Sequence, residues 1–143
     1  MNDEQMMVRE FHERFGLPSN SHPTWPGEAM HRLRVLLIEE ELAELRNAGE
    51  ARSLVCTADA LADLLYVVYG AAVTYGIDLE PVFREIHRSN MSKGGDHPVC
   101  RADGKVCKGE HYQAPRIAEA LAAQTGEKPE AAERSLAVAG LNS

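Results

Sequence analysis

A chain of 143 residues, 44% of them hydrophobic, is long enough for one domain with a real core and short enough that oligomerisation would help it. Its formal net charge of −7 argues against a nucleic-acid or anionic-membrane binder, whose affinity rests on clustered positive charge. Three cysteines, a charged N-terminus without an apolar stretch and no apolar run read as long enough to span a membrane predict reduced thiols in the cytoplasm.

In chain order, the spacing predicts a short amphipathic helix over 3–15, with Met6 or Met7, Phe11 and Phe15 inward and Gly16 and Pro18 as the stop. A loop over 17–26 follows, with Trp25 its only large anchor. A second helix runs over about 27–48 on Leu33, Leu36, Leu37, Leu42 and Leu45, with Gly49 as its stop. The third, about 53–75, is apolar nearly all round, which predicts the centre of a bundle or a subunit interface, and Gly70 within it predicts close approach of a neighbour. Asp78 is a good N-cap for a fourth helix over about 79–92, carrying Leu79, Val82, Phe83 and Ile86.

After Gly94-Gly95, a two-residue Asp103-Gly104 turn predicts a hairpin-like segment near 99–107, pairing Cys100 with Cys107. His97, Cys100, Cys107 and His111 also admit a zinc reading, but facing half-buried strand cysteines already account for the thiols. A last helix at about 115–124 leads to a tail over 126–143, read as mobile or loosely docked, so that one all-α domain occupies 1–125. Charge is uneven along this chain. Residues 84–116 hold seven Lys and Arg against four acids, a basic stretch suited to phosphates or simply a solvated face.

Two acidic clusters interrupt the apolar helices: Glu39-Glu40-Glu41-Leu42-Ala43-Glu44 on the second and Asp59-Ala60-Leu61-Ala62-Asp63 on the third. Positions three or four apart share a helix face, so Glu41 pairs with Glu44 and Asp59 with Asp63, while Glu40 lies at the edge. Burying such groups uncompensated costs several kcal/mol each. If the two helices pack antiparallel, four carboxylates surround one pocket, and hard oxygen donors suit Mg²⁺ or Mn²⁺ rather than zinc.

Three stretches in order resemble one family: Glu40-Glu41-x-x-Glu44, Asp59-Ala-Leu-Ala-Asp63-Leu-Leu-Tyr66, and Arg88-Ser-Asn90-Met-Ser-Lys93. They are similar to the all-α nucleoside triphosphate pyrophosphohydrolases of the MazG-like group, which includes phosphoribosyl-ATP pyrophosphohydrolase and dimeric dUTPases. Asp103-Gly104-Lys105 and Lys108-Gly109 before Tyr112 resemble the group's lysine-bearing segment. The resemblance implies Mg²⁺-dependent cleavage between the α- and β-phosphates of a nucleoside triphosphate, with Mn²⁺ able to substitute and two or more ions per site. It implies Glu41, Glu44 and Asp63 as metal ligands, Glu40 or Glu41 acting on the water, and Asn90 and Lys93 on the substrate. The common pattern puts a glutamate where this chain has Ala60, so Asp59 is taken as the substitute ligand.

Lys93, Lys105 and Lys108 suit developing phosphate charge, with the Tyr66 hydroxyl and Tyr112 beside them. His12, Phe15, Asn20 and Trp25 are candidates for a base pocket, and Trp25 reads equally as a staple for its loop. Family members pair subunits, which predicts a four-helix-bundle core completed in a homodimer or dimer of dimers, with Gly70, Ala71 and Ala72 near the contact. The setting implied is a bacterial cytoplasm, or a phage-encoded protein acting in one. A di-iron oxidoreductase on a four-helix bundle wants Glu-x-x-His, which neither cluster carries. A non-catalytic helical dimerisation module is the other rival reading.

Overall fold

In the computed structural model, which describes residues 1–94 and 100–126, five helices form and, among the described residues, no strand does. They are α1 Asp3–Phe15, α2 Glu28–Glu50, α3 Leu54–Tyr75, α4 Leu79–Met91 and α5 Ile117–Thr125. The chain divides into two compact units, Met1–Leu79 and Glu80–Ser143. The tail expected over 126–143 lies, from residue 127 on, outside the described residues, as do His97 and Val99.

Local chemistry sets the helix ends of the first unit. Asn2 caps α1 by accepting from the Gln5 N–H at 3.1 Å, and Ser53 caps α3 by accepting from the Cys56 N–H at 3.2 Å. Gly16 and Gly76 close α1 and α3 in the left-handed region, at φ 63° and 70°. Gly49 does not stop α2, as expected, but lies inside it. The reversal falls on Arg52 at φ 52°, where Ser53 N–H bonds Ala48 O and Arg52 N–H bonds Gly49 O. This is the two-bond helix closure usually built on glycine, here made by an arginine.

Helix α3 packs against both α1 and α2. A Cβ on Gly70 would stand 3.3 Å from His12 Nε2 and 3.4 Å from Arg34 Nη1, so the close approach predicted there is made by this chain's own α1 and α2. Gly70 and Ala72 are buried within the single chain, and Ala71 between them is half-buried. The core of the unit is small: Val8, Ala48, Ala60, Ala72 and Val73, with Gln5 and His12 buried among them.

On α1 the buried face is Gln5, Val8 and His12, so the expected inward set is corrected: Met6, Met7, Phe11 and Phe15 are all exposed. Gln5 wins an interior place because both ends of its amide are used, Nε2 donating to Ile77 O at 2.6 Å and Oε1 accepting from Leu79 N–H at 3.0 Å. The reading that no apolar run reaches spanning length is also corrected, since Leu54–Tyr75 is long and apolar enough by length and composition. Asp63 near the middle of this helix, costing about 2.5–3.5 kcal/mol at a bilayer centre, and Asp59 one turn before it favour a bundle role.

In the second unit, the hairpin-like segment differs from the expected register. Arg101 N–H bonds Lys105 O and Gly104 N–H bonds Arg101 O, each at 2.9 Å, leaving a three-residue loop with Gly104 at φ 83°. A type I turn followed by a left-handed residue is a favoured three-residue hairpin connection, and Gly104 supplies that residue. The Asp103 carboxylate supports it by accepting from Lys105 N–H at 3.1 Å and pairing with Arg101. Cys100 therefore bridges to Val106 and not to Cys107, which falls on the other face, and both thiols are free.

Candidate metal centre and phosphate-binding segment

Helices α2 and α3 run antiparallel, with His31 beside Tyr75, Arg34 beside Gly70 and, further along, Glu44 with Asp59. The same register brings Glu41 towards Asp63. Glu41 is half-buried, and its carboxyl lies above the usual carboxylate range because of burial first and then the negative charges of Glu44, Asp63, Glu40 and Asp59. The tertiary structure therefore collects all five predicted acids into one electrostatic neighbourhood.

Glu44 and Asp59 line a cleft of about 380 Å³ with Asn47 and Cys56, and Ala48, Ala51 and Ala60 form its apolar wall. Ala60, where the common pattern has glutamate, is 4% exposed, whereas Asp59 beside it reaches the cleft. Among the described residues, none of the five carboxylates is in an ion pair with Lys, Arg or His. Nor do three His, Cys, Asp or Glu side chains there already converge on one ion-sized point. The donor set is nonetheless all hard oxygen, negatively charged and without a protein cation, which fits a divalent ion.

Tyr66, one turn beyond Asp63, is partly exposed and meets the Phe11 ring edge-on at 5.6 Å. His12 is buried; its Nδ1 bonds Pro18 O at 2.8 Å, and burial lowers its pKa, with Arg34 adding to the effect. The Asn20 amide donates to Thr74 O at 2.7 Å. Both side chains thus hold the 17–26 loop to α1 and α3. Trp25 stays exposed, its ring 4.9 Å from His31 and 5.8 Å from Tyr75.

Sequence reasoning missed Arg34, which is 7% exposed with an Nε that finds no acceptor. The signal was there: a lone arginine on an apolar stripe, seven residues and so two turns before Glu41 on one face. Phe11 as a ring partner of Tyr66 was also missed, since its spacing suggested only core.

The other predicted residues belong to the second unit. Asn90 is exposed in the last turn of α4, and Lys93 follows that helix. Gly109 N–H donates to Lys93 O at 3.1 Å, and a Cβ on Gly109 would stand 2.9 Å from that oxygen, so only glycine lets Lys108-Gly109 pass there. Lys108 Nζ lies 4.8 Å over the Tyr112 ring. Lys93, Lys108 and Tyr112 are thus gathered within the unit, while Lys105 closes the hairpin loop.

Residues 113–116 are held to α4 by Glu85. Its carboxylate accepts from Arg88 Nη2 at 2.7 Å and from Arg116 N–H at 2.8 Å, and these bonds hold it down at about 2. A depressed carboxylate stabilises the fold fully above its unfolded value of 4.5 and loses that contribution as pH falls through about 2. Carboxyl NMR titration should therefore find Glu85 still ionised at about pH 4, where an ordinary glutamate is half protonated. An ordinary titration midpoint would mean that the segment is not docked through it.

Antiparallel helices bearing two facing acid clusters define an all-α carboxylate protein. The family model described as phosphoribosyl-ATP pyrophosphohydrolase matches residues 8–90, and the chain belongs to that family, within the MazG-like all-α nucleoside triphosphate pyrophosphohydrolase superfamily. The match contains both acid clusters and ends at Asn90, before the lysines. Members of the family are pyrophosphohydrolases, typically Mg²⁺-dependent. An uncharacterised protein, L479, of Acanthamoeba polyphaga mimivirus is 39% identical over 77 residues, covering 51% of this chain. The chain spans 31% of the length of that relative.

Proposed function

We propose that the protein hydrolyses a (deoxy)nucleoside triphosphate between the α- and β-phosphates, giving the monophosphate and pyrophosphate, as a step in nucleotide-pool control. The observation that carries this reading is the group of five carboxylates, Glu41 and its four neighbours, in no ion pair among the described residues, in a chain of pyrophosphohydrolase ancestry.

Glu41, Glu44, Asp59 and Asp63 hold Mg²⁺, or Mn²⁺ in its place, with two or more ions per site. When bound, the metal supplies positive charge that the acids lack and polarises phosphate oxygens. Glu40, exposed at the edge of the cluster, accepts the proton of the attacking water. The water oxygen bonds to the α-phosphorus, the bond from that phosphorus to the bridging oxygen breaks, and pyrophosphate leaves with the electron pair. The family resemblance supports phosphate binding by Asn90, Lys93, Lys105, Lys108 and Tyr112 of the second unit, where Lys108 Nζ lies 4.8 Å over the Tyr112 ring. The Tyr66 hydroxyl offers a further donor.

A homodimer or dimer of dimers is the proposed assembly, since Leu33 and Leu36 on α2 and Leu54, Val55, Leu61 and Leu65 on α3 are exposed in the single chain. A four-helix core shared between copies covers them.

Pyrophosphate release from a panel of nucleoside triphosphates with Mg²⁺ tests the function. Glu44→Ala and Asp63→Ala should each reduce turnover by about 100-fold or more while the helical circular dichroism persists. No release from any of the panel, or unchanged turnover in these variants, would overturn the proposal. Asp59→Asn should raise the Mg²⁺ concentration for half-maximal rate by about tenfold or more, with a smaller change in KM for nucleotide. An unchanged metal requirement would remove Asp59 from the ligand set.

A further inference from the structure

Helices α1 and α3 leave an aromatic cavity open one turn from the acid cluster. The Phe11 and Phe15 rings lie 4.7 Å apart, Phe11 meets Tyr66 edge-on, and Met7, Glu10 and Arg14 complete a cavity of about 260 Å³. Phe11 is 40% exposed and Phe15 59%, although their spacing suits a core face. Scattered surface aromatics need no explanation, but three clustered around an open cavity do. Tyr66, which lines the cavity, follows Asp63 by three residues on one face, a rise of about 4.5 Å along α3.

We propose that this cavity takes the nucleobase of the substrate, its face against one of the Phe11 and Phe15 rings, which are tilted 51° to each other, and its edge turned to Glu10 and Arg14. This assignment rests on the nucleotide pyrophosphohydrolase reading. A flat heteroaromatic ring suits the aromatic faces, and stacking is indifferent to which base is present. Selectivity falls to the rim. The Glu10 carboxylate accepts from an exocyclic amino or ring N–H, and the Arg14 guanidinium donates to a carbonyl or ring nitrogen. Arg14 also lies 5.9 Å over the Phe15 ring, which places the charge at the mouth. A second copy of the chain is the rival occupant, but two charged side chains bordering three aromatics do not resemble the uncharged centre of a subunit contact.

Calorimetric titration of the full chain with AMP, CMP, GMP and UMP, against ribose 5-phosphate as the base-free probe, tests the site. All titrations contain Mg²⁺. At least one nucleotide should bind about fivefold or more tighter than ribose 5-phosphate. Phe11→Leu and Phe15→Leu, which keep apolar bulk and remove the ring, should abolish most of that advantage while leaving ribose 5-phosphate affinity and the light-scattering mass unchanged. Nucleotides that bind no better than ribose 5-phosphate, or variants that keep the advantage, would overturn the assignment. A changed mass with base discrimination intact would overturn it too, and would assign the patch to contact between copies. Pyrophosphate release is measured separately: a wild-type chain that releases none but passes the binding test loses the hydrolytic reading and keeps the site.

Discussion

Glu41→Gln is expected to raise the melting temperature of the metal-free protein and to abolish pyrophosphate release. The two effects share one cause. Burial and four neighbouring carboxylates push the Glu41 carboxyl above its ordinary value, so its ionised form at neutral pH opposes folding. For an acid displaced upward the linkage is inverted relative to Glu85: the penalty is present above the raised pKa and is relieved as pH falls through it towards 4.5. Glutamine keeps the shape and removes the charge. The metal-free variant should melt higher than wild type at pH 7, and the difference should shrink as pH falls towards 4.5. Mg²⁺ should stabilise the wild type strongly and the variant little, because ligand binding adds to stability only where the site exists. Thermal melts with and without Mg²⁺ at both pH values, with a turnover assay, check all of this. A variant less stable than wild type at pH 7, or one still fully active, would refute the account.

Gly76→Ala should be among the most damaging single methyl additions in the first unit. Gly76 closes α3 at φ 70°, where a non-glycine residue costs about 1–2 kcal/mol. A Cβ there would also stand 2.1 Å from His22 O and 2.6 Å from the carbonyl carbon, backbone atoms of the loop that returns against α3. That loop is fixed on both sides of the collision, by Asn20 N–H to Val73 O at 3.1 Å and Thr24 N–H to Tyr75 O at 2.8 Å, so it cannot give way without losing those bonds. Destabilisation of roughly 3 kcal/mol or more is expected, lowering the melting temperature by about 10 °C. Gly16→Ala serves as the control. It has a similar φ of 63° with nothing within 4 Å, and should show only the conformational part. Equal melting temperatures for the two variants would mean that the 17–26 loop is not packed there.

Much of the helical layout was legible in the sequence because its signals are local. The Gly16 stop and apolar periodicity place the ends of α1 and α3 within a residue or two, and the acidic spacings on α2 and α3 announce a shared face before any packing is known. Family membership was legible for the same reason, since its motifs lie on single helices. What the sequence could not decide was which face of each helix meets which neighbour. Phe11 and Phe15 follow core spacing yet lie open, because Gln5 and His12 take the interior of α1 by satisfying their polar atoms on Ile77, Leu79 and Pro18. The hairpin register turned on Gly104 adopting positive φ at the end of a three-residue loop, a difference of one residue that separates Cys100 from Cys107. Hydrogen-bond satisfaction and steric fit are properties of pairs of segments, and the burial of Arg34 against Gly70 or the raised Glu41 carboxyl exists only once α2 and α3 stand in register.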